Sequence, residues 1–329
     1  MPNHVLAYVT SDSVEITASG YRQFIGAELD MTPDTNFDLG SITKILCTTS
    51  ILMKYVENKD VKLFDPISKF LPNWNSKEKS AITIKDLLEH QSGLNEWRPL
   101  YISADTPEHI HQLIAMDSLK YAPRSGRHYS DLGFITLGLL IEKVSQTTLE
   151  KVFSELIAMP LALTATQFKK PFDSRNVAAT SLGDVIEKRM VETGSPYPVI
   201  ERATEFNKWR TNVLVGEVND GNSFHGFNGV AGHAGLFSSA SDLAAYLQEI
   251  ISSMRGEGYF SERVINQFLT LSLDPMQALG FRTWEISGQT YFGHTGFPGV
   301  AMAFTKNGTG FIYLSNRIHT EGEFPSTDS

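Results

Sequence analysis

Apolar and polar residues alternate along His4–Thr10 and Ser13–Ser19, with Ser11 and Asp12 between them. A period of two puts every second side chain on one face, so the chain is expected to open with an antiparallel hairpin. From Ser41 to Asn58 the period lengthens. Ile42, Ile45, Leu46, Cys47, Ile51, Leu52, Met53, Tyr55 and Val56 cover more than one face, which predicts a helix buried on several sides. Further helices are predicted over Ile84–His90, Pro107–Met116, Leu132–Val144 and Leu149–Met159, separated by prolines and turn clusters. Strand-like runs return at Arg282–Ile286, Gln289–Gly293, Val300–Thr305 and Phe311–Ser315, with Asn307-Gly308 as a hairpin turn between the last two. The expected fold class is therefore α/β (α+β): an antiparallel sheet built from both chain ends and flanked by helices, with a mostly helical domain inserted. The expected division places 1–64 and 217–329 in the sheet subdomain and 65–216 in the helical one. The tail from Thr320 to Ser329 is polar and is expected to fray.

Composition narrows the function classes. The 329 residues carry 28 Lys+Arg and 37 Asp+Glu, a formal net charge of -9 with no basic patch to offset it. That field repels phosphate backbones and anionic membrane surfaces, so nucleic acid is not an expected partner. The longest apolar run near a helix, Phe134 to Ile141, is about half of what spanning a bilayer needs, and membrane insertion is not expected. The N-terminus lacks the basic and apolar regions of a secretory signal, so a cytoplasmic location is expected. Cys47 is the only cysteine, which excludes an internal disulfide and a thiolate metal site; no metal or other cofactor is expected. Cys47 itself reads as core.

Three short motifs could carry chemistry. Ser41-Ile42-Thr43-Lys44 sets a hydroxyl and an amine one helical turn apart, a nucleophile beside a candidate base whose proton affinity apolar surroundings would lower. Tyr129-Ser130-Asp131 precedes a helix; a tyrosine can shuttle a proton where cations stabilise its phenolate, while Asp131 could simply cap the helix. His294-Thr295-Gly296 ends a strand, and the missing side chain of Gly296 would let a substrate lie against the strand edge.

In this order the motifs resemble those of serine penicillin-recognising enzymes: Ser-x-x-Lys, then Tyr-x-Asn or Ser-x-Asn, then Lys-Thr-Gly or His-Thr-Gly. The chain is similar to the class C β-lactamase-like serine hydrolases, which include penicillin-binding proteins, DD-carboxypeptidases, D-aminopeptidases, family VIII-type esterases and muramyl-peptide amidases. The stretches Thr35–Gly40, Leu63–Pro72, Ile82–Leu94 and Gly229–Leu243 resemble the same group. The resemblance implies that Ser41 forms an acyl-enzyme and that Lys44 and Tyr129 share the proton traffic. It also implies that His294, Thr295 and Gly296 border the substrate cleft and that the N–H groups of Ser41 and Phe297 form an oxyanion hole.

Two positions depart from the best-known members. Asp131 stands where an asparagine is usual, and its carboxylate should pair with Lys44, hold it charged and shift the base role toward Tyr129. His294 replaces a lysine, exchanging a permanent charge for a titrating one. Both argue against an efficient β-lactamase and are compatible with an esterase, or with an amidase whose substrate lacks a carboxylate at that point; the expected partner is a small-molecule ester, amide or peptidoglycan-derived substrate. A β-lactamase or D-alanyl-D-alanine carboxypeptidase, and a non-catalytic binder of cell-wall fragments, are the alternatives. His233, in a glycine-rich stretch, could touch substrate or sit satisfied in a tight loop. Trp97, Trp209 and Tyr197 read as core aromatics rather than pocket residues. Many members continue into a terminal helix that covers the sheet, whereas only a polar tail follows Asn316. One sheet face is then expected to be open or covered by a partner, and a homodimer is an option.

Overall fold

The computed structural model describes residues 3–168 and 176–321; beyond Glu321 the polar tail lies outside the described residues. Six antiparallel strands form the main sheet: β1 (His4–Thr10), β2 (Val14–Ser19), β3 (Arg282–Ile286), β4 (Gln289–Gly296), β5 (Val300–Thr305) and β6 (Thr309–Ser315). Their spatial order is β3-β4-β5-β6-β1-β2, so the first hairpin closes onto the last of the described strands. His4 pairs with Ser315 and Thr10 with Thr309 across that junction. The alternation in β1 puts Val5, Ala7 and Val9 in the core and leaves Leu6 and Tyr8 exposed beside the exposed Phe311 and Tyr313 of β6. One sheet face therefore carries exposed apolar side chains.

The Ala240–Met254 helix packs on the inner face. Gly310 lets it lie close to β6: a Cβ there would come within 2.8 Å of the Leu247 side-chain tip. Ser239 starts this helix by accepting a hydrogen bond from the Asp242 N–H.

The buried segment predicted as one helix is wound unevenly. A 3₁₀ turn over Gly40–Ile42 leads into a π-helical turn over Lys44–Thr49, and only Ser50–Asn58 is α-helical. Segments of this kind are frequent at functional sites because they re-aim side chains. The Leu149–Met159 prediction divides similarly into α-helix over Leu149–Phe153 and a π turn over Ser154–Ala158. The predicted helix beginning at Ile84 stops at Leu88, and His90 beyond it takes a left-handed φ of 56°. Between 65 and 216 the chain is not purely helical. Gln167–Phe168 pairs with Leu236–Ser239, which also pairs with Asn36–Asp38, and Ala179–Leu182 pairs with Val213–Val215. Asn36–Asp38 leads directly into Gly40 and Ser41, so this small sheet anchors the start of the reactive segment.

Candidate active site

Ser41 sits at the start of the uneven helix because Gly40 permits a left-handed φ of 47° immediately before it. A Cβ at residue 40 would meet Pro298 at 2.7 Å and lie 3.4 Å from the Phe297 nitrogen, so the chain beyond β4 comes right up to Ser41. Asp38 fixes the approach by accepting from the Gly40 and Asn219 N–H groups. Burial pushes its carboxyl up to about 6.

Four side chains from the first two motifs converge. Lys44 Nζ donates to Ser41 Oγ at 2.8 Å and to the His233 carbonyl at 3.2 Å. It forms an ion pair of 2.7 Å with Asp131 Oδ1 while its own side chain is wholly buried. The Tyr129 hydroxyl donates to Ser41 Oγ at 3.0 Å. Burial pulls the Lys44 ammonium down, but the Asp131 carboxylate and Tyr129 override it, and the proton is held more tightly than on an ordinary lysine. Tyr129 is also pushed up, first by burial and further by Asp131, against the pull of Lys44. Both groups therefore keep their protons at neutral pH.

Asp131 is free for this pairing because it is not the helix cap. Ser130 caps the Asp131–Ser145 helix, accepting from the Gly133 N–H, and Asp131 occupies the first helical position. His90, which sequence reasoning passed over, holds the same turn. Its Nδ1 accepts the Ser130 N–H at 2.9 Å, and its ring lies 4.5 Å from that of Tyr129. It belongs to the Ile82–Leu94 stretch already singled out, so its chain context was visible but its partner was not.

The third motif lies on β4, which runs further than predicted, to Gly296. Pairing with β3 begins at Arg282 opposite Gly293, leaving Thr295 to Phe297 without a strand partner on that edge, where they line the cleft. Gly296 lines the cleft and is also required for packing: a Cβ there would meet the Leu39 carbonyl at 2.4 Å and Val300 at 2.5 Å. His294 also lines the cleft but is not a titrating cation. It is 1% exposed, and burial together with Lys44, Arg282 and Arg127 drives its imidazole well below the usual range, so it stays neutral. Nδ1 faces the Thr295 carbonyl at 2.7 Å, which assigns the proton to Nδ1 and leaves Nε2 as an acceptor.

The permanent positive charge near this strand comes from elsewhere. Arg282 donates to Thr295 Oγ1 at 3.0 Å, and Arg127 donates to Gln277 at 3.0 Å. Both line the cleft, and burial and the charge of Arg282 together lower Arg127. Neither was singled out in the sequence, since an isolated arginine in a strand start or a loop carries no motif.

His233 does not line the cleft. Its ring is 1% exposed with Nε2 at 2.9 Å from Asp220, and its contribution to the site is the main-chain carbonyl under Lys44. Trp97 and Tyr197 do line it, contrary to the expectation that they are core alone, whereas Trp209 packs against Tyr101 and Phe206. The cleft encloses about 940 Å³, within the range of small-molecule sites. Among the described residues no group of three or more His, Cys, Asp or Glu could hold a metal ion, and no helix is long and apolar enough to cross a membrane.

The family model for β-lactamase matches residues 2–328. The chain belongs to the β-lactamase family. It is 30% identical to the N-acetylmuramyl-L-alanine amidase of Bacillus subtilis, over 97% of this chain and 78% of that protein. It is also 30% identical to a putative D-alanyl-D-alanine carboxypeptidase of Escherichia coli, over 88% of this chain and 70% of the relative. The fold is similar to that of the octameric penicillin-binding protein homologue from Pyrococcus abyssi, with a TM-score of 0.71 and 24% identity over 96% of this chain and 69% of that one. EstCE1, a hydrolase with promiscuous acyltransferase activity, gives a TM-score of 0.72 at 19% identity over 96% and 89% of the two chains. This β-lactamase-family chain is a serine hydrolase of the ester- and amide-cleaving kind.

Proposed function

We propose that the protein hydrolyses an ester or a peptide-like amide through an acyl-enzyme on Ser41. The observation that carries this reading is the convergence of Lys44 and Tyr129 on Ser41 Oγ, at 2.8 and 3.0 Å. The reactive form is the minor one in which Tyr129 has lost its proton beside the Lys44 cation. Ser41 Oγ attacks the carbonyl carbon as its proton passes to the Tyr129 phenolate. The N–H groups of Ser41 and Phe297 hold the oxyanion, a fixed arrangement that needs no reorganisation as charge develops. Collapse breaks the bond to the leaving group, which takes the proton from Tyr129. Water then attacks the acyl carbon and gives its proton to Tyr129; collapse breaks the bond to Ser41 Oγ, which takes that proton back from Tyr129, and the acid is released.

In this reading the sheet unit (1–64 and 217–329) and the helical unit (65–216) form the two walls of the cleft. Arg282 and Arg127 place two like charges beside the open edge of β4, which favours an anionic group on the substrate there. That charge favours a peptidoglycan-derived carboxylate over a purely neutral ester as the natural substrate. The test is hydrolysis of a short-chain p-nitrophenyl ester by the wild type and Ser41→Ala. Turnover should fall by about a thousandfold or more in the variant. Equal turnover would refute the acyl-enzyme.

A further inference from the structure

Both flanks of Ser41 are tied to two adjacent residues, Asn219 and Asp220. On the N-terminal side, Asp38 accepts the Gly40 N–H at 2.9 Å with one oxygen and the Asn219 N–H at 2.7 Å with the other. On the other side the tie runs through the loop Gly232–Ala234, whose three successive carbonyls all accept side-chain donors. Gly232 accepts from Thr48 Oγ1 at 2.6 Å, His233 from Lys44 Nζ at 3.2 Å, and Ala234 from Ser223 Oγ at 3.0 Å. Gly232 seats this loop against the Asp131–Ser145 helix, because a Cβ there would meet the Phe134 carbonyl at 2.2 Å.

One carboxylate oxygen gathers two of these clamps. Asp220 Oδ1 accepts the Ser223 N–H at 2.7 Å and stands 2.9 Å from Nε2 of the buried His233 ring. Burial alone would raise the Asp220 carboxyl, but His233, the Ser223 N–H and the charge of Lys44 hold it below the usual aspartate range. It is therefore ionised, and hydrogen bonds to a carboxylate out of bulk water are among the stronger ones. The group that benefits is Lys44. An ammonium has three donors, and here they meet three acceptors: Ser41 Oγ, Asp131 Oδ1 and the His233 carbonyl. With all three in place the direction of Nζ is fixed; without the carbonyl only two points define it.

We propose that Asp220 is a positioning residue of the hydrolytic site: through His233 and Ser223 it fixes the Gly232–Ala234 loop, whose His233 carbonyl aims the Lys44 ammonium at Ser41 Oγ. This inference rests on the hydrolase reading and adds to it a residue bonded to neither Ser41 nor Lys44. Because Asp220 also lines the cleft, the competing role is direct contact with substrate, and the two roles separate kinetically.

The experiment measures hydrolysis of the short-chain p-nitrophenyl ester by Asp220→Ala, Asp220→Asn, His233→Phe and the double variant Asp220→Ala/His233→Phe. Competent sites are counted by end-point labelling of Ser41 with a fluorophosphonate, so that kcat refers to folded protein. Lys44 faces Ser41 in acylation and deacylation alike, so Asp220→Ala should lower kcat about tenfold or more while KM stays within about threefold. Asp220→Asn keeps an oxygen for both donors and should restore most of that loss. His233→Phe, which fills the place of the ring without Nε2, should match Asp220→Ala, and the double variant should be no worse than either, since residues acting on one path are not additive. If Asp220→Ala does not fold by circular dichroism, His233→Phe decides: a lowered kcat supports the assignment and a wild-type kcat overturns it. A wild-type kcat in Asp220→Ala, a raised KM as the sole effect, an asparagine variant no better than alanine, or losses that multiply in the double variant would each overturn it as well. Ser41→Ala in the same assay reports on the acyl-enzyme alone, so its retained turnover would sink the hydrolase reading, whereas its inactivity beside a wild-type kcat in Asp220→Ala would sink only the positioning role.

Discussion

Asp131→Asn tests how the Lys44 pair shapes both stability and proton affinity. The substitution keeps shape and an oxygen acceptor but removes the charge facing a wholly buried ammonium at 2.7 Å. Taking one partner from a fully buried pair costs about 3–5 kcal/mol. Here the Asp131 side chain is 16% exposed, and Lys44 keeps its bonds to Ser41 Oγ and the His233 carbonyl, so about 2–3 kcal/mol is expected. For 329 residues the entropy of unfolding is about 0.7 kcal/mol/K, so the melting temperature should fall by about 3–4 °C at neutral pH. The same carboxylate raises the proton affinity of Lys44 and of Tyr129. Removing it lowers both, and the ascending limb of kcat/KM against pH should move toward lower pH. Thermal melts by circular dichroism and an ester-hydrolysis pH profile measure the two effects on one preparation. An unchanged melting temperature together with an unmoved or upward-shifted limb would show that the pair neither holds the site together nor sets its proton affinities.

Two further outcomes follow from the geometry. Gly296→Ala should destabilise the protein by about 2 kcal/mol or more, because its Cβ would meet the rigid Leu39 carbonyl at 2.4 Å; a wild-type melting temperature would contradict this packing role. His294 is held neutral when folded, so below the ordinary histidine pKa of about 6.5 the unfolded chain binds a proton that the folded chain does not. Stability should be full above about pH 6.5 and decline as pH falls below it, and His294→Gln should flatten part of that decline. Urea midpoints across the acid range check this, and an identical slope in the variant would count against it.

The periodic patterns alone located the strands at both chain ends, the helix over Pro107–Met116 and the sheet assembled from the two termini. These signals are local: alternation and turn chemistry recur within a few residues, and burial of one face follows from them. The three motifs were legible for the same reason, each being a short run. Winding was less so, since the π turn over Lys44–Thr49 depends on tertiary contacts such as Thr48 Oγ1 donating to the Gly232 carbonyl at 2.6 Å.

What only the tertiary structure decided are relations between distant positions. The charge state of His294 is set by burial near Lys44, Arg127 and Arg282, which come from three separate segments. Its role changes from titrating cation to neutral acceptor for that reason. His233 shows the converse: its side chain is turned to Asp220, and its carbonyl does the work at Lys44. Electrostatic and packing energies depend on separation in space, and the chain order of Ser41, Tyr129 and Arg282 contains no measure of it.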